Sequence, residues 1–385
     1  MHIDRRRFLQ VWGGGAAALL GCGPRDAPPP ASATAAARAP SPAPATIAKK
    51  KILVLGGTGY AGPPIVEAAV RRGHEVTLFN RGKSAPGLFP NVETILGDRV
   101  MQLDLLKGRS WDAVVDTWAP GPTLVRRAAE LLRDRVDHYV YFSTISVYRL
   151  TREPLHEGSP LLTLPPGVDV KDIKAIDEKN YGPLKALAER AAEDAMPGRT
   201  TSVRAGLLVG PGDPTDRFLY WPLRARAGGP MIAPGKPEDP MQLVDVRDVG
   251  AWIVTAIEAR HVGAYNAVGP QEPRIGAILD AVREGAGGDA RPAWIPHAFL
   301  EKNGAAGWES FPVAIDPDGD ESGFARVSCA RAIAKGLRFR PLAGTTRDAM
   351  TWWAAQTAER RAKERPGITR EREAELLRSF LQARG

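Results

Sequence analysis

The segment "KILVLGGTGYAG", residues 51–62, sets the architecture that we expect for this chain. Lys51–Leu55 is a short apolar run bounded by glycine, which predicts a buried strand. Gly56, Gly59 and Gly62 follow at intervals of three, and a helical pattern begins behind them. Such glycines permit a tight turn, let the backbone approach a pyrophosphate and let the helix pack on the strand. We predict a dinucleotide site here, with a plain strand–turn–helix as the alternative.

The end of the next predicted strand, "EVTLFN" at 75–80, indicates which dinucleotide is bound. A carboxylate at this place binds the ribose hydroxyls of NAD, whereas an arginine accommodates the additional phosphate of NADP. The sequence continues as "NRGKS" and has no carboxylate, which favours NADP over NAD. Besides the glycines, the candidate cofactor-binding residues are Tyr60 in the turn, Asn80 and Arg81, Asp98 near the adenine, and Thr117 along the cofactor.

A tyrosine and a lysine farther along the chain form a candidate acid/base pair. The run "HYVYFSTISVY" (138–148) predicts a strand that ends in hydroxyl residues, and 180–195 predicts a helix with Asn180 as its cap. Tyr181 and Lys185 are four residues apart, so both side chains lie on one helical face. An ammonium beside a phenol lowers the phenol pKa, and such a phenol exchanges a proton with a substrate hydroxyl. The same spacing also occurs by chance on helix surfaces.

These motifs resemble the short-chain dehydrogenase/reductase superfamily, in its extended and atypical branch of NAD-dependent epimerases and dehydratases. The resemblance covers residues 51–355 and runs in order through "GGTGYAG", "FNRG", "GD", "FSTISVY", "YGPLK", "VRAGLLVGPGD", "VDVRDV" and "YNAVGP". It implies an α/β fold, a doubly wound parallel Rossmann sheet of about seven strands with a smaller C-terminal substrate lobe after Gly206. It also implies catalytic roles for three residues: Thr144 polarises the substrate, Tyr181 is the acid/base, and Lys185 additionally binds the nicotinamide ribose.

Departures from the family pattern leave a second function open. The "GGTG" start and "LFNRG" resemble a branch that contains uncharacterised bacterial epimerase-like proteins and chloroplast stem-loop RNA-binding proteins, some of which have lost catalytic residues. Thr144, Tyr181 and Lys185 are all retained here, which favours an NAD(P)-dependent epimerase, dehydratase or oxidoreductase acting on a hydroxyl-bearing small molecule, such as a sugar or nucleotide sugar. The alternative is a non-catalytic dinucleotide-binding or RNA-binding module.

The substrate side of the predicted cleft is less specific in sequence. The run "DPTDRFLYWPLRARAGG" (213–229) carries Arg217 and Trp221, which would clamp an anionic or sugar-like group, and Ser146 lies beside Thr144. A solvated loop with an aromatic side chain in the core explains the same run equally well. The segment 356–385 predicts charged amphipathic helices that either cover the body or bind a partner.

Composition restricts the classes of partner. The 385-residue chain has a net charge of +8, but residues 1–50 hold seven basic residues against two acidic ones. The body is therefore close to neutral for its size, and we expect no nucleic-acid partner. Two cysteines and six scattered histidines predict neither a disulfide framework nor a metal site. The oligomeric state stays open.

The first 48 residues predict export. Residues 1–22 contain "RRRFL", which resembles a twin-arginine signal, and "LLGC" ends in Cys22 like a lipobox that would carry a lipid anchor. A Pro/Ala-rich tether at 23–48 lacks the apolar groups needed to fold. We therefore expect a periplasmic protein or a membrane-anchored lipoprotein, followed by the NAD(P)-binding body at 49–355. A basic, untargeted N-terminus is the alternative.

Overall fold

A computed structural model of the protein describes residues 48–117, 121–173, 175–271 and 274–383. The predicted signal, Cys22 and all but the last residue of the tether lie outside these ranges. The strands, in chain order, are β1 (Lys51–Leu55), β2 (Glu75–Asn80), β3 (Glu93–Leu96), β4 (Ala113–Asp116), β5 (His138–Thr144), β6 (Thr200–Ala205), β7 (Leu208–Val209), β8 (Pro230–Pro234), β9 (Val244–Asp245), β10 (Gly263–Ala267) and β11 (Arg291–Ile295).

The helices, in the same order, are α1 (Gly62–Arg71), α2 (Pro122–Leu132), α3 (Glu178–Ala195), α4 (Tyr220–Arg226), α5 (Val246–Glu258), α6 (Ile275–Ala286), α7 (His297–Lys302), α8 (Gly307–Ser310), α9 (Ala330–Ala334), α10 (Leu342–Ala354), α11 (Ala358–Ala362) and α12 (Arg370–Gln382). Short 3₁₀ turns occupy Leu103–Leu106, Ile145–Val147, Val170–Asp172 and Ser322–Ala325.

A parallel sheet of seven strands lies at the centre of the described residues, in the order β10-β6-β5-β4-β1-β2-β3. Side chains of β1 alternate between two helical layers. Ile52 and Val54 belong to the core that includes α1 and α5, whereas Leu53 and Leu55 belong to the core with α2 and α3. Burial on both faces explains the continuous apolar run of β1. The predicted doubly wound α/β sheet is confirmed.

Part of the chain after Gly206 returns to this sheet. Helix α5 packs against α1, and β10 is the edge strand beside β6. Most of the remaining chain builds a second core around α4, α6 and α10, next to the two-stranded pair β8 and β11. The carboxyl ends of the sheet strands therefore face a smaller lobe, the arrangement in which α/β proteins bind ligands.

The final helix, α12, is attached to this lobe by a buried carboxylate. Glu373 is 2% exposed and accepts hydrogen bonds from Arg224 Nε at 2.5 Å and from Ile232 N at 2.9 Å. The C-terminal helices thus cover the body through this contact. Among the described residues, no helix has the length and apolarity required to cross a membrane.

Replacing Glu373 should show how strongly the C-terminal helix is held. We expect Glu373→Gln to lower the free energy of unfolding by about 3 kcal/mol, because it leaves the Arg224 guanidinium buried without its counter-charge. Glu375→Gln is the matched control, since Glu375 forms an exposed pair with Arg372 and should cost less than about 1 kcal/mol. Urea unfolding of both variants measures the difference, and equal losses would contradict the anchoring role of Glu373.

Candidate active site

The glycine turn after β1 fits the close approach of a dinucleotide. Gly56 and Gly57 have φ angles of 109° and 84°, in the left-handed region that favours glycine. A Cβ at Gly62 would overlap the backbone of Gly57, so α1 can begin this close to the strand only with glycine at that position. A Cβ at Gly56 would likewise overlap the hydroxyl of Thr117. These positions form a backbone cradle at the N-terminus of α1, which suits a pyrophosphate.

The predicted cofactor-binding residues at the ends of β2, β3 and β4 form different local hydrogen bonds. Asn80 Nδ2 donates to the Gly56 carbonyl at 3.2 Å, and Asn80 Oδ1 accepts from Gly82 N at 2.7 Å. Asn80 therefore shapes the turn, while the exposed Arg81 lies beside it. Asp98 is partly exposed and accepts from Val100 N at 2.7 Å through Oδ1. Thr117 donates to the Leu55 carbonyl at 2.9 Å, next to the cradle.

The catalytic candidates Tyr181 and Thr144 are in contact. Thr144 ends β5, and its Oγ1 accepts from Ser146 N at 3.1 Å. The Tyr181 side chain is hydrogen-bonded to Thr144. Helix α3 comes this close because residue 182 is glycine: a Cβ there would overlap the carbonyl oxygen of Ser146. Tyr181 thus supplies the phenol, and the adjacent Gly182 allows the helix to approach the strand end closely enough for the contact.

The start of α3 differs from the expected one. Asn180 is not the N-cap. Asp177 caps the helix by accepting from Lys179 N and Asn180 N, and the Asn180 side chain accepts from Asp177 N at 3.0 Å in return. Aspartate and asparagine are both good caps, and the reciprocal pair of hydrogen bonds explains why the helix begins after Asp177. The additional turn places Tyr181 inside the helix.

Lys185 lies one turn farther along α3 and is buried. Its Nζ donates to the Phe142 carbonyl at 2.6 Å and lies 4.5 Å from the centroid of the Tyr141 ring. Burial lowers its pKa from 10.5 to about 7, although the carboxylates of Asp116 and Glu189 act in the opposite direction. Burial therefore makes the neutral amine of Lys185 much easier to reach than that of an exposed lysine.

The phenol of Tyr181 is not tuned as expected. Burial raises its pKa above the ordinary value, while the Arg217 guanidinium and the Thr144 hydrogen bond act to lower it. Burial wins because a phenolate loses more solvation than these two groups return. The phenol is thus neutral at physiological pH in this state. An additional positive charge nearby would be needed to bring it towards ionisation.

On the substrate side, the structure brings Arg217 to the site but not Trp221. Arg217 interacts electrostatically with the buried Asp213 and with Tyr60 and Tyr181, and its guanidinium lies 5.6 Å from the centroid of the Trp308 ring. Trp221 is fully buried and donates from Nε1 to the Pro312 carbonyl at 2.8 Å. The predicted Arg217–Trp221 clamp is therefore wrong, because α4 directs this tryptophan into the core of the lobe. Trp308 occupies the place beside Arg217.

Two hydroxyls complete the site. The Tyr60 hydroxyl is buried and has no hydrogen-bond partner within the described ranges. Burial, Asp213 and Asp245 raise its pKa, whereas Arg217 acts to lower it. A buried donor without a protein partner is costly, and because Arg217 also interacts with Tyr60, this hydroxyl is a candidate to bind a ligand. Ser146 is 9% exposed, and its Oγ accepts from Thr144 Oγ1 at 3.2 Å.

Buried ion pairs beneath the site escaped the sequence analysis. Arg204 on β6 binds Glu189 on α3 at 2.7 Å, and Ser143 donates to the same carboxylate at 2.5 Å. Arg99 binds Asp116 through two hydrogen bonds. Each pair joins two different elements of the fold. The one sequence signal for either pair is Arg99, which follows Asp98 in "GDR". Within the described ranges, no group of three or more histidine, cysteine or acidic side chains is arranged to hold a metal ion.

The Gly182 contact can be tested with a pair of helical glycines. We expect Gly182→Ala to lower the free energy of unfolding by about 1–3 kcal/mol, because the methyl group collides with the Ser146 carbonyl. Gly344→Ala in α10 is the control, since a Cβ there meets open space and should stabilise by up to about 1 kcal/mol. Chemical denaturation measures both, and a neutral Gly182→Ala would disprove the close approach.

The pKa of Lys185 predicts a pH-dependent stability. Between about pH 7 and 10.5 the unfolded lysine holds a proton that the folded one has lost, so the unfolded state binds more protons and stability rises with pH. The free energy of unfolding of the wild type, minus that of Lys185→Met, should therefore become more positive as pH rises through this window. The exposed Lys179→Met on the same helix is the control. A difference that stays constant with pH would place the lysine pKa elsewhere.

Part of the chain is similar in sequence to known proteins. Residues 52–130 match the model of the "NAD dependent epimerase/dehydratase family". "Epimerase family protein SDR39U1" from Bos taurus is 26% identical over 308 residues, which cover 75% of this chain and 95% of the relative. "Chloroplast stem-loop binding protein of 41 kDa b" from Arabidopsis thaliana is 26% identical over 229 residues, 54% of this chain and 56% of that protein.

Solved structures share the fold at low sequence identity. The enzyme WbmH of Bordetella bronchiseptica, in complex with NAD+, superposes with a TM-score of 0.56 at 20% identity, covering 79% of this chain and 98% of its own. Human SDR39U1 with NADPH gives a TM-score of 0.50 at 21% identity, with coverages of 78% and 99%. Residues 52–130 are thus similar to the NAD-dependent epimerase/dehydratase family, and the solved structures show that the chain shares their fold.

Proposed function

We propose that this protein is an NAD(P)-dependent enzyme of the epimerase/dehydratase type that acts on a hydroxyl-bearing small molecule with an anionic group, such as a nucleotide sugar. The observation that carries the proposal is the contact of Tyr181 with Thr144 beside the glycine cradle, with Arg217 facing the same phenol. This arrangement offers proton exchange, cofactor binding and anion binding within one cleft.

The residues present fit a nicotinamide dinucleotide. The cradle at Gly56 and Gly62 and the N-terminus of α1 would hold the pyrophosphate, and Lys185 the nicotinamide ribose. Arg81 would bind the additional phosphate of NADP, which is why we propose NADP over NAD. The fold does not decide between them, because human SDR39U1 was solved with NADPH and WbmH with NAD+. When bound, the nicotinamide supplies the acceptor and donor of a hydride.

The protein's own part of the chemistry is proton exchange at Tyr181 Oη. Burial holds this phenol neutral, so it acts first as a hydrogen-bond donor to a substrate oxygen. It becomes a proton acceptor when nearby positive charge increases. Lys185 can provide that charge, because its pKa is about 7 and an anionic cofactor beside it would favour the ammonium form. Cofactor binding and activation of the phenol are thereby coupled through one lysine.

The substrate side favours an anionic, sugar-like molecule. Arg217 presents a guanidinium backed by the Trp308 ring, a combination suited to phosphate or carboxylate groups. Ser146 and Tyr60 add hydroxyls that would bind those of a sugar. Among proteins of this fold, one structure is described as MoeE5 in complex with UDP-glucose and NAD. A nucleotide sugar is therefore the first substrate class to test.

Export gives a reason for retaining the cofactor. We propose that residues 1–22 direct the folded protein through the twin-arginine route, with Cys22 lipidated and residues 23–48 as a tether. An exported enzyme has no pool of free NADP, so its cofactor has to be regenerated in place. Epimerisation meets this condition, because the oxidation and the reduction occur within one catalytic cycle.

Tyr181→Phe tests the proposal. We expect turnover of a nucleotide sugar such as UDP-glucose to fall about 10²–10⁴-fold, because the proton-exchanging oxygen is removed. The affinity for NADPH should stay within about threefold, since the cradle is untouched. Tyr220→Phe is the control, because that buried hydroxyl has no hydrogen-bond partner within the described ranges and lies in the lobe core.

The measurements are steady-state kinetics and NADPH fluorescence titration, together with identification of any dinucleotide released when the protein is denatured. Undiminished turnover by Tyr181→Phe would refute the acid/base role. A protein that binds no dinucleotide but binds RNA with a strong salt dependence would instead favour the non-catalytic alternative, which the name of the Arabidopsis relative raises.

A further inference from the structure

We propose that Arg360 is a positioning residue that holds Arg217 in the site, through a C-terminal strap formed by residues 357–368. The inference rests on the proposed function in one respect, namely that Arg217 binds the anionic group of the substrate. The strap lies within the charged C-terminal segment 356–385. The strap contacts Asp216, which precedes Arg217 in the chain, and α8, which carries Trp308.

The first contact is with Asp216, which immediately precedes Arg217. Arg360 NH1 and NH2 donate to the two oxygens of Asp216 at 2.5 and 2.6 Å, and the Asp216 side chain is 6% exposed. Asp216 has a φ angle of 54°, a left-handed conformation that is rare for residues with a Cβ. Such a conformation persists only where the surrounding structure holds it. The two-pronged Arg360 contact is the interaction that fixes this side chain.

The direction of Arg217 follows from the conformation of Asp216. A left-handed residue turns the chain sharply, so residue 217 leaves the turn in a direction that an extended or helical residue 216 would not allow. Arg217 Nε then donates to Thr215 Oγ1 at 2.9 Å, and the guanidinium interacts with Tyr181 and Tyr60. Loss of the Asp216 anchor would release this turn and the guanidinium with it.

The second contact is with the element that carries Trp308. Gly367 N donates to the Glu309 carbonyl at 2.7 Å, and Ile368 N donates to the Ser310 carbonyl at 3.1 Å. These bonds hold α8, whose Trp308 ring lies against Arg217. A Cβ at Gly367 would overlap the Tyr220 ring, and its φ of 112° also requires glycine. The strap therefore contacts both the turn that contains Arg217 and the helix whose Trp308 ring lies against it.

Arg360 itself is held firmly enough to transmit this constraint. Its guanidinium lies 5.4 Å from the centroid of the Trp353 ring and 5.9 Å from that of Trp352, both on α10. Thr357 caps α11 through a hydrogen bond from Arg360 N at 3.2 Å. The guanidinium thus lies within cation–π distance of two indole rings and binds a carboxylate through two hydrogen bonds, a combination that lysine does not reproduce.

The test compares Arg360→Ala with Arg361→Ala, a neighbouring exposed arginine on the same short helix. Hydrogen exchange of the 213–219 amides reports on the turn without any substrate. We expect it to quicken about tenfold in Arg360→Ala and to stay unchanged in Arg361→Ala. UDP serves as the anionic probe and NADPH as the cofactor probe. The dissociation constant for UDP should rise about tenfold in Arg360→Ala, with that for NADPH unchanged.

Arg360→Lys and Asp216→Asn separate positioning from general stability. Arg360→Lys should restore only part of the UDP affinity, because it retains the charge but loses the second hydrogen bond. The losses of Arg360→Ala and Asp216→Asn should be non-additive when combined, since both break one contact. Additive losses, or unchanged exchange at 213–219, would overturn the inference. So would a joint loss of UDP and NADPH affinity in Arg360→Ala, because that would indicate a general loss of structure.

The two proposals fail in distinguishable ways. If the wild type binds NADPH but not UDP, the nucleotide-sugar part of the proposed function is wrong, and the exchange measurement alone decides whether Arg360 holds the turn. If UDP binds and Arg360→Ala changes neither exchange nor affinity, the proposed function stands and the role of Arg360 is refuted.

Discussion

The candidate site depends on the absence of a side chain at position 182. Helix α3 lies against the turn after β5 only because nothing at Gly182 separates it from the Ser146 carbonyl. This approach sets the distance at which Tyr181 meets Thr144. It also sets the distance at which Lys185, one turn later, reaches the Phe142 carbonyl. The close approach at Gly182 therefore positions both members of the candidate acid/base pair relative to the sheet.

Near this contact lie two buried ion pairs and the buried Lys185, whose pKa is set mainly by burial. Glu189 is neutralised by Arg204 and Asp116 by Arg99, so each carboxylate has a guanidinium within hydrogen-bond distance. Lys185 interacts with both carboxylates, yet burial still lowers its pKa to about 7. A lysine in this condition responds strongly to one further charge. An anionic ligand bound nearby would favour its ammonium form, which is the change that the proposed function assigns to cofactor binding.

The half of the site that we propose for the nucleotide was predictable because it is local in sequence. Strands β1 and β2 have the predicted bounds, since burial on both faces leaves continuous apolar runs that end at glycine and asparagine. The cap of α3 was misplaced by three residues, because Asp177 and Asn180 have similar capping propensities and only their reciprocal bonds decide between them. The ion pairs beneath the site join distant strands and helices, and no local pattern reveals such pairing.

The substrate half could not be predicted, because it is assembled from three segments far apart in the chain. Arg217 belongs to the loop after β7, Trp308 to α8, and Arg360 to the strap before α12. Trp221 was the natural partner for Arg217 by proximity in sequence, but α4 turns it into the core. An aromatic residue on a short helix carries no sign of which face will be covered. That is decided by α12 and the strap, which close the lobe from the far end of the chain. Because the strap contacts Asp216 and α8, we expect a substitution in it to impair substrate binding more than cofactor binding.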